Sequence, residues 1–255
     1  MNVIDSGGTP LVEKNFGMRY NFLEREMILM NYTTLLMDAD DTIFAFPKCE
    51  YNALKNTLES FGLVFSDRIH ENFSEINSAL WKKFEMNRIT RSELRVRRFS
   101  ELLKKCFEGF ENAELLADKY VDMLALEAIF IDGAEQALEN LGRHYEIYII
   151  TNGLKKVQYS RFEISDIYRF IKGHFISDEL GVQKPQKEFF DTVLENINEK
   201  DKSRVLVVGD SLTSDMQGGR NAGLDTCLYD PKDKVSMPHE LCDFKIKKLE
   251  DIMTL

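Results

Sequence analysis

The chain has no stretch near the ~20 consecutive apolar residues that a membrane-spanning helix requires. Its N-terminus lacks the continuous apolar segment of a secretory leader, so a cytoplasmic location is the default expectation. Positive charge is scarce: 33 Lys and Arg stand against 43 Asp and Glu, for a formal net charge of -10. That balance argues against a nucleic-acid polymer or an anionic membrane as the main partner, since both reward a basic face. Individual phosphorylated metabolites remain compatible, because a few local cations and a metal can outweigh a global charge. The four cysteines, Cys49, Cys106, Cys227 and Cys242, form no C-x-x-C pair. They read as reduced, mostly buried thiols rather than a zinc site or a disulfide frame. There is no internal repeat and no low-complexity tract.

What the chain does have is ordinary in bulk: 255 residues, 44% hydrophobic and 30% charged, enough for one large domain or a domain with a sizeable insertion. The informative stretch is 34–44, Thr-Leu-Leu-Met-Asp-Ala-Asp-Asp-Thr-Ile-Phe. Its apolar run, 35–37, reads as a short buried strand that stops where Asp38, Asp40 and Asp41 begin. Clustered acids repel one another and are costly near a core unless they share something positive, for which a divalent cation is the natural partner. Asp-x-Asp-x-Thr at a strand end therefore predicts a small Mg²⁺ site in which one carboxylate also acts chemically. A solvated acidic turn is the bland alternative on this stretch alone. A calcium loop of the EF-hand type fails, because it needs Gly and Glu where the chain has Ile43 and Cys49.

Residues 1–29 carry Gly7-Gly8, Pro10 and mixed charges without clear periodicity. They are expected to be an extension dispensable for chemistry, or to precede a true start at Met30, with an ordinary N-terminal helix over 21–30 as the alternative. After the acidic turn, Tyr51, Leu54, Leu58 and Phe61 share one helical face and Gly62 marks its stop. The 3.6-residue period continues to about residue 130, and Thr90 with Glu93 forms a capping box ahead of Leu94, Phe99, Leu102 and Leu103. A compact insertion of four or five helices over 48–130 is predicted. From Asp132-Gly133 onward, strands over 145–150, 173–177, 205–208 and 226–229 alternate with helices, among them 134–141 and 186–197. That alternation predicts the α/β class, an open doubly wound parallel sheet built from 30–47 and 131–255.

In such sheets ligands bind beyond the carboxyl ends of the strands. Polar clusters stand at three predicted ends: Asp38 to Thr42, Thr151-Asn152-Gly153, and Gly209-Asp210-Ser211. A hydroxyl at Thr151 and exposed backbone N–H groups suit phosphate oxygens, although Asn-Gly is also a good turn in its own right. Taken singly, Lys184 before Pro185 reads as a surface lysine, and Asp210 and Asp215 as caps of a helix near Ser214. Taken with Asp38 and Asp40, the same residues describe an active site more economically.

In this order, Asp38-Ala39-Asp40-Asp41-Thr42, Thr151, Lys184 and Gly209-Asp210 with Asp215 resemble the four motifs of the haloacid dehalogenase superfamily of phosphohydrolases. The resemblance covers residues 33 to about 250 and includes a C1-type helical cap after the first motif. It implies a Rossmann-like core and Mg²⁺-dependent hydrolysis of small phosphate monoesters. Asp38 would attack phosphorus and become an aspartyl phosphate, and Asp40 would protonate the leaving alkoxide and then activate water. The resemblance puts Mg²⁺ on Asp38, the backbone carbonyl of Asp40, and Asp210, with Asp215 acting through water or by orienting Lys184. Lys184 and Thr151 would stabilise the phosphoryl oxygens, helped by N–H groups near Asn152, and Thr42 would fix the turn or steer Asp40. Dehalogenation needs neither a second acid nor a metal, so Asp40 and the Asp210/Asp215 pair favour phosphoester chemistry; a phosphomutase shares the first step.

The first motif with its aromatic tail, Met37 through Phe46, and the stretch 81–99 look most like the pyrimidine 5'-nucleotidases of this superfamily. That likeness implies a nucleoside monophosphate as substrate. A sugar-phosphate phosphatase is the runner-up, and a catalytically silent binding protein the reading from another class, against which the intact Asp38, Asp40 and Lys184 count. Phe44, Phe46, Trp81 and Phe84 are candidates for stacking on a base, with cap core as the alternative. Arg88, Arg91, Arg95, Arg97 and Arg98 read as a mostly solvated helix face of which one member reaches substrate.

Overall fold

A computed structural model of the chain describes residues 32–255 and, ahead of them, two short strands, β1 (Val12–Glu13) and β2 (Arg19–Tyr20), paired antiparallel. The helix considered for 21–30 and the start considered at Met30 lie outside the described residues. The chain divides into two compact units: one holds the stretch ending at Phe44 together with Phe130–Asn152 and Ile167–Leu255, the other Ala45–Ile129 together with Gly153–Asp166.

The first unit is built on six parallel strands: β3 (Thr34–Met37), β4 (Glu146–Thr151), β5 (Gly173–Ile176), β6 (Val205–Gly209), β7 (Asp225–Tyr229) and β8 (Phe244–Ile246). Their order across the sheet is β5-β4-β3-β6-β7-β8. This is the doubly wound α/β architecture the sequence predicts. Every residue of β3 is buried, which is why its sequence is a continuous apolar run rather than an alternating one: a parallel strand covered on both faces has no solvent side. From β3 the chain winds outward through β4 and β5, then returns to the other side of β3 with β6. Reversal of direction leaves a crevice at the strands' carboxyl ends between β3 and β6.

Helices α5 (Ala134–Leu141), α7 (Ser177–Leu180), α8 (Lys187–Asn196) and α9 (Gln217–Ala222) also belong to this unit. The apolar face of α8, Phe189, Phe190, Val193 and Leu194, packs into one core with Leu36, Ile150 and Val207. Each such side chain contributes about 1.5–3 kcal/mol by leaving water. β8 and α7 escape the sequence reading because they are three and four residues long, with Lys245 interrupting the first and two acids the second.

The second unit contains α1 (Phe46–Ser60), α2 (Asp67–Glu85), α3 (Arg91–Cys106), α4 (Ala113–Leu124) and α6 (Lys155–Ile164). Thr90 caps α3 with the expected reciprocal box: its backbone N–H donates to Glu93 Oε2 at 2.7 Å and its Oγ1 accepts from Glu93 N–H at 3.2 Å. Leu54, Leu58, Phe73, Phe99, Leu102, Leu116 and Tyr120 form the core, and Val157 of α6 joins it.

One expectation about this unit changes. Arg98 is buried, not part of a solvated face: Nη1 donates to Asn77 Oδ1 at 3.4 Å and the guanidinium lies 4.5 Å from the Tyr120 ring centroid. Its charge faces Glu50, also buried, whose carboxylate accepts from Asn77 Nδ2 at 2.7 Å and from Ser74 Oγ. Only half of a 3.6-residue period of arginines can point outward, and Arg98 falls on the same side as Leu94 and Leu102. The aromatic residues are core as well, Phe84 in a cluster with Leu80, Ile89 and Leu94, and Phe46 against the main core. Phe44, in the first unit, is fully buried and stacks on Phe130 at 5.1 Å.

Candidate active site

Asp38 is the first residue beyond β3, and its N–H extends the sheet by donating to Val208 O at 2.8 Å. The chain then folds back tightly. Ala39 O accepts from both Ile43 N–H, at 3.0 Å, and Phe44 N–H, at 2.8 Å, while Asp41 N–H donates to Phe44 O at 2.8 Å. Asp41 takes φ 64°, a left-handed conformation that Asp tolerates better than most residues. Ala39 and Thr42 are fully buried, and the Thr42 hydroxyl has no hydrogen-bond partner among the described residues.

Lys184 enters from the loop before α8 and is 1% exposed. Its Nζ donates to Asp38 Oδ1 at 2.5 Å, to Asp215 Oδ1 at 2.6 Å and to the carbonyl of Ile150 at 2.9 Å. An ammonium has three protons, and all three are used. Burial alone would push the Lys184 ammonium down, but Asp215 and Asp38 outweigh it and hold its pKa above the usual lysine value.

Asp215 is fixed at both oxygens, Oδ1 by Lys184 and Oδ2 by the N–H of Ser211 at 3.2 Å. It stands in a five-residue π-helical turn, Leu212–Met216, that is capped by Ser211: Oγ accepts from Ser214 N–H at 3.1 Å. The capping considered for Asp210 and Asp215 is thus done by Ser211. Gly209 makes room for this arrangement, because a Cβ there would stand 2.3 Å from Asp215 Oδ2. Thr151 ends β4, buried, and Asn152 follows it with its amide turned onto the backbone of Lys184.

Carboxylate oxygens of Asp38, Asp210 and Asp215 lie within 4.8 Å of one another. Asp38 is pushed well above the ordinary carboxylate value of 3.8, first by burial and then by Asp215 and Asp40, with Lys184 pulling the other way. Burial and the charges of Asp38, Asp215 and Asp41 raise Asp210 likewise. Three acids around one ammonium leave an excess of negative charge, with Asp38 and Asp215 buried and Asp210 partly open to solvent. Asp215 is already engaged at both oxygens, while the Asp210 carboxylate takes no hydrogen bond from the described residues. A hard divalent cation with oxygen-donor preference fits this donor set.

A family model described as haloacid dehalogenase-like hydrolase matches residues 32–223. The chain belongs to this family. YfnB of Bacillus subtilis is 39% identical over 88% of this chain and 95% of its own. Its crystal structure, bound to magnesium, superposes with a TM-score of 0.82 over 88% of this chain and 98% of that one. The pyrimidine 5'-nucleotidase PynA of Streptococcus pneumoniae is 36% identical over 79% of this chain and 85% of its own. The pyrimidine 5'-nucleotidase YjjG of Escherichia coli is 32% identical over 78% and 86%. The expected enzyme class, a phosphoric monoester hydrolase, is borne out at this level.

In this haloacid dehalogenase-like hydrolase the first unit brings Asp38, Lys184, Asp210 and Asp215 together, with Thr151 and Asn152 at the neighbouring strand end. Asp40 follows one residue after buried Ala39, on the turn that closes over Phe44. The sequence reading omits two contributors and the task of a third. The carbonyl of Ile150 leaves no side-chain signal at all. Ser211 stands beside a named motif, but only the turn geometry gives its N–H and hydroxyl their tasks. Asn221, which donates to Pro185 O at 2.9 Å and so pins the loop after Lys184, sits on an exposed helix face with nothing in its neighbourhood to mark it. No helix among the described residues is long and apolar enough to cross a membrane.

Proposed function

We propose that the protein is a cytoplasmic, Mg²⁺-dependent 5'-nucleotidase that hydrolyses pyrimidine nucleoside monophosphates through an aspartyl phosphate on Asp38. The likeness to PynA and YjjG carries the substrate reading: each match spans more of the chain than the first unit contains, so it extends into the helical unit as well. The cluster of Asp38, Lys184, Asp210 and Asp215 supports the chemistry.

In this mechanism the Asp38 carboxylate oxygen bonds to phosphorus as the ester P–O bond breaks, and the leaving 5'-oxygen takes a proton from Asp40. Asp40, now a carboxylate, removes a proton from water as its oxygen attacks phosphorus, the Asp38–phosphorus bond breaks, and inorganic phosphate leaves with Asp38 restored. Lys184 favours the ionised form of Asp38 against the burial that raises its pKa, aims it, and lowers the repulsion between a carboxylate and a phosphate dianion. Thr151 and backbone N–H groups of the following loop hold the non-reacting phosphoryl oxygens. Asp38, Asp210 and the carbonyl of Asp40 would hold Mg²⁺, with Asp215 buttressing; the ion would neutralise charge developing on the phosphoryl oxygens.

The test is Mg²⁺-dependent release of inorganic phosphate from a panel of nucleoside monophosphates and sugar phosphates, with Asp38→Asn beside the wild type. Pyrimidine monophosphates leading, with an inactive variant, is the expected result. Sugar phosphates leading would remove the nucleotidase assignment and leave the chemistry, whereas an active Asp38→Asn would remove the chemistry.

A further inference from the structure

We propose that Asn152 is a positioning residue that acts through Lys184 rather than a ligand for phosphate, an inference that rests on the role given to Lys184 above. A primary amide offers a carbonyl acceptor and two N–H donors. Here Oδ1 accepts from the backbone N–H of Lys184 at 3.0 Å, and Nδ2 donates to the backbone carbonyl of the same residue at 2.9 Å. One side chain thus imitates a strand neighbour for one residue lying 32 positions away. Nδ2 also lies 3.4 Å from Ser214 Oγ, next to Asp215. The amide therefore ties the root of the lysine to the turn that holds the lysine's own anchor.

Anchoring the root matters because a long, flexible lysine side chain must give up much of its rotamer freedom when its tip is fixed. Main-chain bonds on both sides of Cα restrict where those rotamers start. The rest of the loop is held as well: Gln183 N–H donates to Gln186 Oε1 at 2.9 Å, and Pro185 O accepts from Asn221 Nδ2 at 2.9 Å. Loops this thoroughly bonded deliver the Nζ to one point, where its three protons meet Asp38, Asp215 and Ile150. With its amide turned to the backbone of Lys184, Asn152 serves phosphate indirectly, by fixing the charge beside Asp38.

The experiment uses the full chain with lysine labelled at ¹³Cε and ¹⁵Nζ, the Lys184 signal being assigned with Lys184→Arg. Without any ligand, Asn152→Ala should shift or broaden that signal, while a thermal melt shows the protein still folded. Asn152→Asp, which keeps the acceptor and loses the donor, should do so to a smaller degree, and it carries the test if the alanine variant unfolds. Calorimetric titration with inorganic phosphate in excess Mg²⁺ then closes a double-mutant cycle. Asn152→Ala should weaken phosphate about tenfold in the wild-type background and leave affinity unchanged in a Lys184→Ala background, the signature of one route. An unchanged Lys184 signal, or the same fold-loss in both backgrounds, would overturn the proposal. The labelled-lysine arm needs no substrate, so it decides the question even if no nucleotide is ever turned over.

Discussion

Gly209→Ala adds one methyl group and, on this structure, should cost the enzyme both stability and activity. The new Cβ would stand 2.4 Å from Asp215 Cγ, whereas carbon atoms settle at about 3.5 Å or more, so the carboxylate must retreat by about 1 Å. It has nowhere to go at 1% exposure, with Oδ1 on Lys184 at 2.6 Å and Oδ2 on Ser211 at 3.2 Å. A retreat of that size breaks the ion pair and leaves a buried ammonium short of one partner, a change that costs about 3–5 kcal/mol. At about 2–4 °C per kcal/mol for a chain near this size, the melting temperature should fall by roughly 6–20 °C. Activity should fall on the order of 10²-fold, the usual consequence of a 1 Å misplacement of a catalytic constellation. The assays are a thermal melt and phosphate release under the same buffer. Gly173→Ala is the control, since a Cβ in that strand meets only Tyr148 at 3.4 and 3.5 Å, an ordinary contact. A Gly209→Ala protein that melts and turns over like the Gly173→Ala control would refute the reasoning.

Asp210→Asn should weaken Mg²⁺ by at least about 10- to 100-fold, the range seen when even an outer partner of a metal ligand is lost; activity titrated against Mg²⁺ reads it, and an unchanged midpoint would count against Asp210 as a ligand. The raised pKa values of Asp38 and Asp210 set a pH dependence. Above the ordinary carboxylate value of 3.8, the folded metal-free state binds more protons than the unfolded one, so its stability falls as pH rises through the raised values. Metal competes with those same protons, so the melting-temperature gain on adding Mg²⁺ should grow with pH, and a gain that is flat or shrinks would contradict the charge accounting. In the helical unit, Glu50→Ala should cost about 1–3 kcal/mol, because it removes the acceptor of buried Asn77 Nδ2 and the carboxylate whose charge favours the buried Arg98 guanidinium. A melt within about 1 °C of wild type would show that Arg98 is neutralised some other way.

Much of the first unit is legible from sequence because a parallel strand covered on both faces leaves a plain trace. β3, β4 and β6 are compact apolar runs that stop at polar residues, and alternation with helices predicts their sheet. Chemistry-bearing side chains announce themselves at those stops, which is why Asp38 and Asp210 can be named from the strand ends, whereas Lys184 and Asp215 are legible only through the order of the motifs around them. Support from the main chain does not announce itself. The carbonyl of Ile150 and the N–H of Ser211 belong to every residue equally, and only tertiary structure selects them. Asn152 is a mixed case: its place at the strand end is visible, but the direction of its amide depends on a loop 32 residues on. Arg98 fails for the opposite reason. Charge predicts exposure on average, and its register beside Leu94 and Leu102 overrides that average only when Glu50 and Asn77 of two other helices are there to receive it.

The central place of β3 in the sheet has a consequence for manufacture. Met37 leaves the ribosome long before either neighbour exists, since β4 begins at Glu146 and β6 at Val205. At about 5–20 residues per second, the second neighbour follows roughly 8–35 seconds later. Throughout that interval β3 is an apolar segment with no complete set of partners, the kind of unpaired strand that chaperones hold and that aggregates when they do not. Helices α1 to α4 are translated meanwhile and can begin to gather their own core around Leu58, Phe73, Phe99 and Tyr120. A nascent chain halted anywhere before Val205 would therefore display Asp38 but have no site around it, and its first strand would be the handle by which quality control finds it.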